Sequence, residues 1–405
     1  MILAINEVVI PGISYSFGVI NWLEEELKGI DVKIRKLLNL YGNFIATSDV
    51  DRLYVSRASG GRGLQSVWNG FQVCMCRLAH VLSYTESEVM STCASMDSKY
   101  QFSITKRAAK YSANVPENQP KQFDSMTLLQ QARAVANSVR EAKHEERFQC
   151  WKAKPQHGAY LRHLCKNNLD PVKSLAWVNS CFLDPSTESY IFAAQELALF
   201  TRYHERYILK SQSDDLCRIC GKESETIYHI LSGCDSLAKR EYLVRHNAVC
   251  KYVHFMVMKN FEFQCAPNWF VHTPVEVVRS KNVEIVYDQL ITTDRPIGAN
   301  RPDLLVRDKL NKKAYIIDIS CPCDTNVWKK ENEKVSKYGP LRVELQKMWG
   351  CDCVVIPVVI GGLGAVSKNV EKHLLNVPGA PDVKMCQKIT LMGSKKILQD
   401  VLARK

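Results

Sequence analysis

The sequence predicts a multidomain protein with a mainly α-helical N-terminal half, a small CCHC module after residue 213 and an α/β domain at the C-terminal end. In the first half, apolar residues recur at helical spacing, as in Leu27, Ile30, Ile34, Leu37, Leu38 and Tyr41. Cys217 and Cys220 are followed by His229 after eight residues and by Cys234 after four more, which is a zinc-ligand spacing. Beyond residue 265, short apolar runs alternate with helical patterns, the order expected of a sheet covered by helices. With 405 residues and 46% hydrophobic content, the chain can build real cores, which excludes a disordered class.

The first helix has Lys28, Lys33, Arg35 and Lys36 between its apolar positions, a basic side that suits either solvent or a nucleic-acid backbone. The run Ser59-Gly60-Gly61-Arg62-Gly63-Leu64 permits a tight backbone excursion, read as a plain loop or as one that brings Arg62 to a phosphate. Residues 85–150 turn rich in Ser, Ala, Gln and charge, and Pro116 and Pro120 mark a boundary. Helical composition follows from Leu128 to Arg147, is broken near Trp151 to Gly158, and returns at Tyr160 to Lys166. Residues 131–166 hold eight Lys or Arg against three Glu, a net positive stretch that fits a backbone-binding stripe or a solvated face. Glu188 to Tyr203 reads as a further amphipathic helix leading toward Cys217.

Three thiolates and one imidazole satisfy tetrahedral zinc, and the two-residue gap between Cys217 and Cys220 lets both sulfurs converge from one tight turn. Gly221 and the polar tip Lys222-Glu223-Ser224-Glu225 support that turn. Four buried residues of a reduced protein is the simpler alternative. The segment Leu237 to Val249 is helical and carries Lys239, Arg240, Arg245 and His246, a basic surface able to grip phosphates.

The C-terminal block reads as helix Thr273 to Arg279, strand Val283 to Tyr287, the strand entrance Pro302-Asp303, a strand ending at Asp318, helix Asn326 to Trp349, and strand Val354 to Ile360. Pro302 lacks a ladder donor and suits a strand entrance, so a hairpin turning at Asp308, Lys309 and Asn311 would bring Asp303 and Asp318 to one sheet edge. Two carboxylates so placed can hold magnesium or manganese together with phosphate oxygens and so activate water for phosphodiester hydrolysis. A turn aspartate and a strand-end aspartate without a metal fit the same residues.

A net charge of +12, from 54 Lys and Arg against 42 Asp and Glu, favours a polyanionic partner. Sixteen cysteines, among them the CxC pairs Cys74/Cys76, Cys321/Cys323 and Cys351/Cys353, with no secretory leader, suit a reducing compartment and thiols. The N-terminal apolar stretch carries Asn6 and Glu7 and lacks a basic start, unlike a signal peptide. Cys353 to Val366 is too short to span a bilayer and contains Pro357, Gly361, Gly362 and Gly364, so no membrane partner is expected.

Taken together, these motifs resemble the C-terminal part of the polyprotein of site-specific non-LTR retrotransposons. The likeness rests on the CCHC knuckle running into Arg245-His246-Asn247, and on the series Arg301-Pro302-Asp303, Asp318 and Lys334-Val335-Ser336-Lys337-Tyr338. Upstream, Tyr15-Ser16-Phe17-Gly18-Val19-Ile20-Asn21-Trp22 and the Gly60 to Leu64 loop resemble the end of a reverse-transcriptase region, and Ala193-Ala194-Gln195-Glu196 resembles the linker before the knuckle. The resemblance implies a reverse-transcriptase thumb remnant at 1–84, a helical linker at 85–150, a helical linker domain at 151–213, the CCHC zinc knuckle and basic helix at 214–252, and a restriction-endonuclease-like domain at 265–405. It implies Asp303, Asp318 and Lys334 as catalytic residues, the two aspartates as magnesium or manganese ligands, and Arg245, His246, Arg301, Lys337 and Tyr338 as nucleic-acid contacts. The implied partners are a chromosomal DNA target, element RNA and a full-length polyprotein in trans, for a nuclear protein made in the cytoplasm.

Two departures from the pattern matter. Polymerases of this kind hold their metals on an aromatic-x-Asp-Asp turn, whereas the sole Asp-Asp here is Asp214-Asp215, after Gln212 and Ser213. The expectation is therefore a truncated reading frame that does not polymerise. Ser320 occupies the place of the lysine two residues after the second acid in the wider PD-(D/E)xK pattern, and Lys334 matches the downstream lysine of the retrotransposon pattern. Two classes of function follow: a metal-dependent DNA-nicking endonuclease that serves target-primed integration, or a catalytically inert nucleic-acid-binding remnant.

Overall fold

The computed structural model describes residues 1–113, 125–166, 168–180, 183–211 and 214–404. The expected boundary at Pro116 and Pro120, and Gln212 and Ser213, lie outside the described residues. The chain divides into two compact units, Met1–Pro155 and Gln156–Lys405. Within the second unit the helix Leu243–Asn260 extends past residue 252 and buries Val249, Val253 and Val257 against the sheet.

The first unit is helical among its described residues. Glu24, Glu25 and Glu26 sit in the first turn of the helix Glu24–Leu40, where the helix dipole favours negative charge. Leu27, Ile34 and Leu38 are buried, while Leu37 and Tyr41 are exposed, so the apolar stripe is narrower than its spacing suggested. Asp31 takes a core position instead: its carboxylate accepts from Ser66 Oγ at 2.7 Å and Val67 N at 2.8 Å, which ties this helix to the start of the helix Val67–Tyr84. The glycine loop is structural, since a Cβ on Gly61 would lie 2.1 Å from the Val55 carbonyl oxygen. Arg62 is buried and donates to Asn43 O, so it faces the interior rather than a phosphate. The helix Leu128–Ala153 continues six residues past Arg147 and places Trp151 in the core.

The second unit is built on a five-stranded mixed sheet in the order β1-β2-β3-β4-β5, with β1 Val277–Arg279, β2 Val283–Tyr287, β3 Leu304–Asp308, β4 Lys313–Ser320 and β5 Asp352–Val359. The first four strands form an antiparallel meander, and β5 joins β4 in parallel. A parallel neighbour needs a crossover, supplied by the helices Val327–Lys337 and Gly339–Trp349. Pro340, near the start of the second, splits what read as one helix. Both faces are covered. Leu304, Val306, Ile317 and Ile319 pack toward Leu243–Asn260 and Val383–Leu402, while Leu305, Ala314 and Ile316 pack with Tyr338, Leu341 and Leu345. This explains why β4 is a nearly continuous apolar run.

Two expected helices are corrected. Residues 277–279 form an edge strand, because Val277 and Val278 pair with Val286 and Ile285 and β-branched residues fit that pleated surface. The tract from Glu188 to Tyr203 is two helices, Pro185–Gln195 and Arg202–Tyr207, separated by Leu197 in the left-handed region at φ 56°. The first of them is buried around most of its circumference, and Gln195 donates to Leu363 O at 2.8 Å. Among the described residues no helix is long and apolar enough to cross a membrane, and the described cysteines, CxC pairs included, are free.

Candidate metal centre and carboxylate site

Cys217, Cys220, His229 and Cys234 converge, with ligand atoms all within 4.8 Å of one another. The first two come from a tight turn in which Gly221 N donates to Cys217 O at 2.7 Å and Cys217 N to Glu223 O at 2.7 Å, with Gly221 at φ 63°. His229 and Cys234 bracket one short wide helical turn, where Cys234 N donates to His229 O. His229 turns Nε2 toward Cys220 Sγ at 3.4 Å and Nδ1 toward Glu223 Oε2 at 3.1 Å. A carboxylate on the far nitrogen is the usual device for orienting a metal-binding imidazole. Tyr242 Oη accepts from Cys234 N and donates to the Ile230 carbonyl at 2.8 Å. Glu225, fully buried, pairs with Arg218 at 2.7 Å, and Arg218 also donates to the carbonyls of Leu402 and Arg404.

Electrostatics separates the thiols. Burial opposes ionisation of Cys220, but donors from Lys222 N and Glu223 N, with His229, outweigh it and bring that thiol down to about 6. Burial, then the neighbouring Cys217, pushes Cys234 up to about 12. Three sulfurs and a nitrogen at these separations, oriented by Glu223, fit a tetrahedral zinc-class ion.

The carboxylate site lies at the end of β3 and β4. The last pair of the ladder is Leu304 with Ile317, and Asp303 and Asp318 are the residues that flank it on the two strands. Asp303 Oδ2 accepts from Ile319 N at 2.6 Å, and its Oδ1 faces His246 Nε2 at 3.1 Å. Asp318 is buried, accepts from Tyr338 Oη at 2.7 Å and is paired with the Lys334 ammonium. Lys334 and Tyr338 reach it together because they are four residues apart, one turn of the crossover helix and its cap. Burial, followed by the Asp318 charge, holds the Tyr338 hydroxyl far above its ordinary range, so it remains a proton donor.

The expected nucleic-acid contacts separate by burial. Arg245 is 2% exposed and donates to Leu231 O, Cys321 O and Ser394 Oγ, so it cross-links interior backbone and does not grip a phosphate. Tyr338 is fully buried against Asp318, which corrects its expected role as a nucleic-acid contact. His246 turns Nε2 to Asp303 while its side chain stays partly exposed, and Lys337 donates to Tyr338 Oη at 3.0 Å. Arg301 is exposed and bridges to Asp288 at 2.9 Å, which leaves its other guanidinium face at the surface. Asp308 is the expected turn residue, accepting from Asn311 N and Nδ2.

A groove of about 670 Å³ runs along the same unit from Glu223 and His229 past His246 to Ser320, Asn326 and Lys330. In the first unit, a separate cleft of about 610 Å³ is lined by Arg77, Arg133, Arg140, Lys143 and Arg147. The residue absent from the sequence reading of the carboxylate site is Cys250, whose Sγ lies 3.2 Å from His246 Nε2. Its one sequence signal is its position four residues after His246, one helical turn away. Burial, then the nearby Asp303, drives the Cys250 thiol well above its ordinary value.

No protein-family model matches the chain, and no curated protein matches it significantly.

Proposed function

We propose that the chain is a divalent-metal-dependent DNA-nicking endonuclease, similar to the restriction-like endonuclease of site-specific non-LTR retrotransposons. The observation that carries this reading is that Asp303 and Asp318 both flank the last ladder pair of β3 and β4, Leu304 with Ile317, with the Lys334 ammonium on the second acid. Each carboxylate oxygen keeps a lone pair beyond its present hydrogen bond, so the donor set fits a hard cation shared with a phosphate. Magnesium or manganese, when bound, lowers the pKa of water and offsets phosphate charge. Asp303 is held in place by Ile319 N and Asp318 by Tyr338, while Lys334 can turn from Asp318 toward the attacking water or the charge on the pentavalent phosphate. The zinc module and the basic cleft of the first unit would hold nucleic acid.

One feature favours the second reading, an inert nucleic-acid-binding protein: Asp318 is already neutralised by Lys334 and hydrogen-bonded by Tyr338, a network that is complete without a metal. Nicking of supercoiled plasmid in magnesium or manganese decides between them. The parent should nick, Asp303→Ala and Asp318→Ala should abolish nicking, and Lys334→Ala should bind DNA yet cut on the order of 100-fold more slowly. Asp308→Ala should nick normally. A parent that binds DNA without cutting supports the second reading, and normal cutting by Asp318→Ala removes the two-carboxylate assignment.

A further inference from the structure

We infer that His246, Cys250 and Asp303 form a second metal site, selective for a zinc-class dication and open at one coordination position. Their ligand atoms lie within 4.8 Å of one another, and none belongs to the Cys217 cluster. His246 and Cys250 are four apart on the helix Leu243–Asn260 and therefore share a face. Asp303 is delivered to that face from the position just before β3, fifty-seven residues away in the chain.

Proton bookkeeping points to a cation. His246 Nε2 lies 3.1 Å from Asp303 Oδ1 and 3.2 Å from Cys250 Sγ. If Nε2 carries a hydrogen, it donates to Asp303 and has no lone pair to accept the thiol hydrogen. If Nε2 is bare, it accepts from Cys250 and turns a lone pair on the Asp303 carboxylate. One proton on this nitrogen serves one contact and leaves the other unsatisfied. A dication where the three groups meet satisfies all of them. Tetrahedral bonds of about 2.0 Å to nitrogen and oxygen and about 2.3 Å to sulfur separate the atoms of a one-sulfur site by about 3.3–3.5 Å, so the two contacts of His246 need outward shifts of a few tenths of an ångström.

The ligand chemistry selects the metal. A thiolate and an imidazole suit zinc or cobalt, whereas magnesium requires oxygen. Ile319 N holds Asp303 Oδ2 and so directs Oδ1 at the site. Burial is graded: Cys250 is 2% exposed, while the His246 and Asp303 side chains are 24% and 20% exposed. The sulfur thus closes the inner side and the outer side opens toward solvent, the arrangement of zinc sites that keep a position for water or substrate. The site does not require nicking activity, though it shares Asp303 with the carboxylate pair.

The test loads the full-length chain with cadmium-113 and with zinc. Two cadmium resonances are expected, one from a three-sulfur and one from a one-sulfur site, with two zinc ions per chain. Cys250→Ser and His246→Ala should each remove one zinc and the one-sulfur resonance; Cys217→Ser should remove the other. A single resonance and one zinc in the unmodified chain overturns the inference, as does Cys250→Ser retaining both. The resonance count on the unmodified chain does not depend on any variant folding. Nicking is scored separately: a chain that cuts but holds one zinc defeats this site alone, and a chain that holds two without cutting defeats the endonuclease reading alone.

Discussion

Tyr338 Oη donates to Asp318 Oδ1 at 2.7 Å, from a side chain with no exposed surface to a carboxylate that is 3% exposed. Such a bond fixes the acid but leaves it a buried, half-satisfied charge when the hydroxyl is lost. Tyr338→Phe should therefore cost about 1–3 kcal/mol in urea unfolding and reduce any nicking. Lys337→Ala, which removes a donor to the same hydroxyl, should cost less. Equal stability of Tyr338→Phe and the parent would show that Asp318 does not depend on this contact.

Loss of the Cys217 cluster should be felt far from it in sequence. Arg218, held on the same turn by Glu225, donates to the carbonyls of Leu402 and Arg404. Chelation, or Cys217→Ser through loss of the zinc at this cluster, should disorder the turn and speed amide exchange at the end of the helix Val383–Leu402. Cys250→Ser should leave that zinc in place. Unchanged exchange at residues 398–404 after complete zinc removal would separate the cluster from the helix end.

Arg245 predicts a split between stability and binding. Arg245→Met leaves the carbonyls of Leu231 and Cys321 without their buried donor and should cost about 2–4 kcal/mol, read by denaturation. The folded fraction should bind DNA with the parent's salt dependence. Arg301→Gln, on the surface, should lower the slope of log affinity against log salt by about one. The reverse pattern would return Arg245 to the interface.

His254 and His272 make a buried pair, Nδ1 to Nε2 at 2.8 Å. Burial, then the neighbouring His272, lowers His254 from 6.5 to about 4. The unfolded chain binds the extra proton between those values, so this stabilisation is fully present above pH 6.5 and is lost as pH falls toward 4. At about 1.4 kcal/mol per pKa unit, the loss is about 2 kcal/mol by pH 5 and about 3 kcal/mol at pH 4. Denaturation of the full chain at pH 7.5 and pH 5 measures it, and His254→Gln should flatten the difference. A parent equally stable at both values would rule out the depressed histidine.

The features that were legible in the sequence are those built from neighbouring residues. The four residues from Cys217 to Cys234 lie within eighteen positions and are joined by one turn and one short helix, so spacing alone implied their convergence. Strands β2 to β5 were visible because each is a compact apolar run, and the hairpin between β3 and β4 followed from a turn marked by Asp308 and Asn311. That Tyr338 joins Lys334 on Asp318 was not legible: the sequence reading placed Tyr338 at the nucleic acid, and only the packing of the crossover helix brings its hydroxyl to the acid.

Only the tertiary structure decided which polar residues are inside. Arg62 and Arg245 carry the same charge as any surface arginine, and their burial depends on distant carbonyls: Asn43 for the first, Leu231 and Cys321 for the second. Residues 277–279 became a strand because β2 offered a pairing edge, a cross-strand gain that local helical pattern does not contain. The meeting of His246 and Cys250 with Asp303 depends on a helix crossing the end of β3 and β4. Local periodicity determines which face of an element is apolar; the elements that pack there determine what chemistry that face can do.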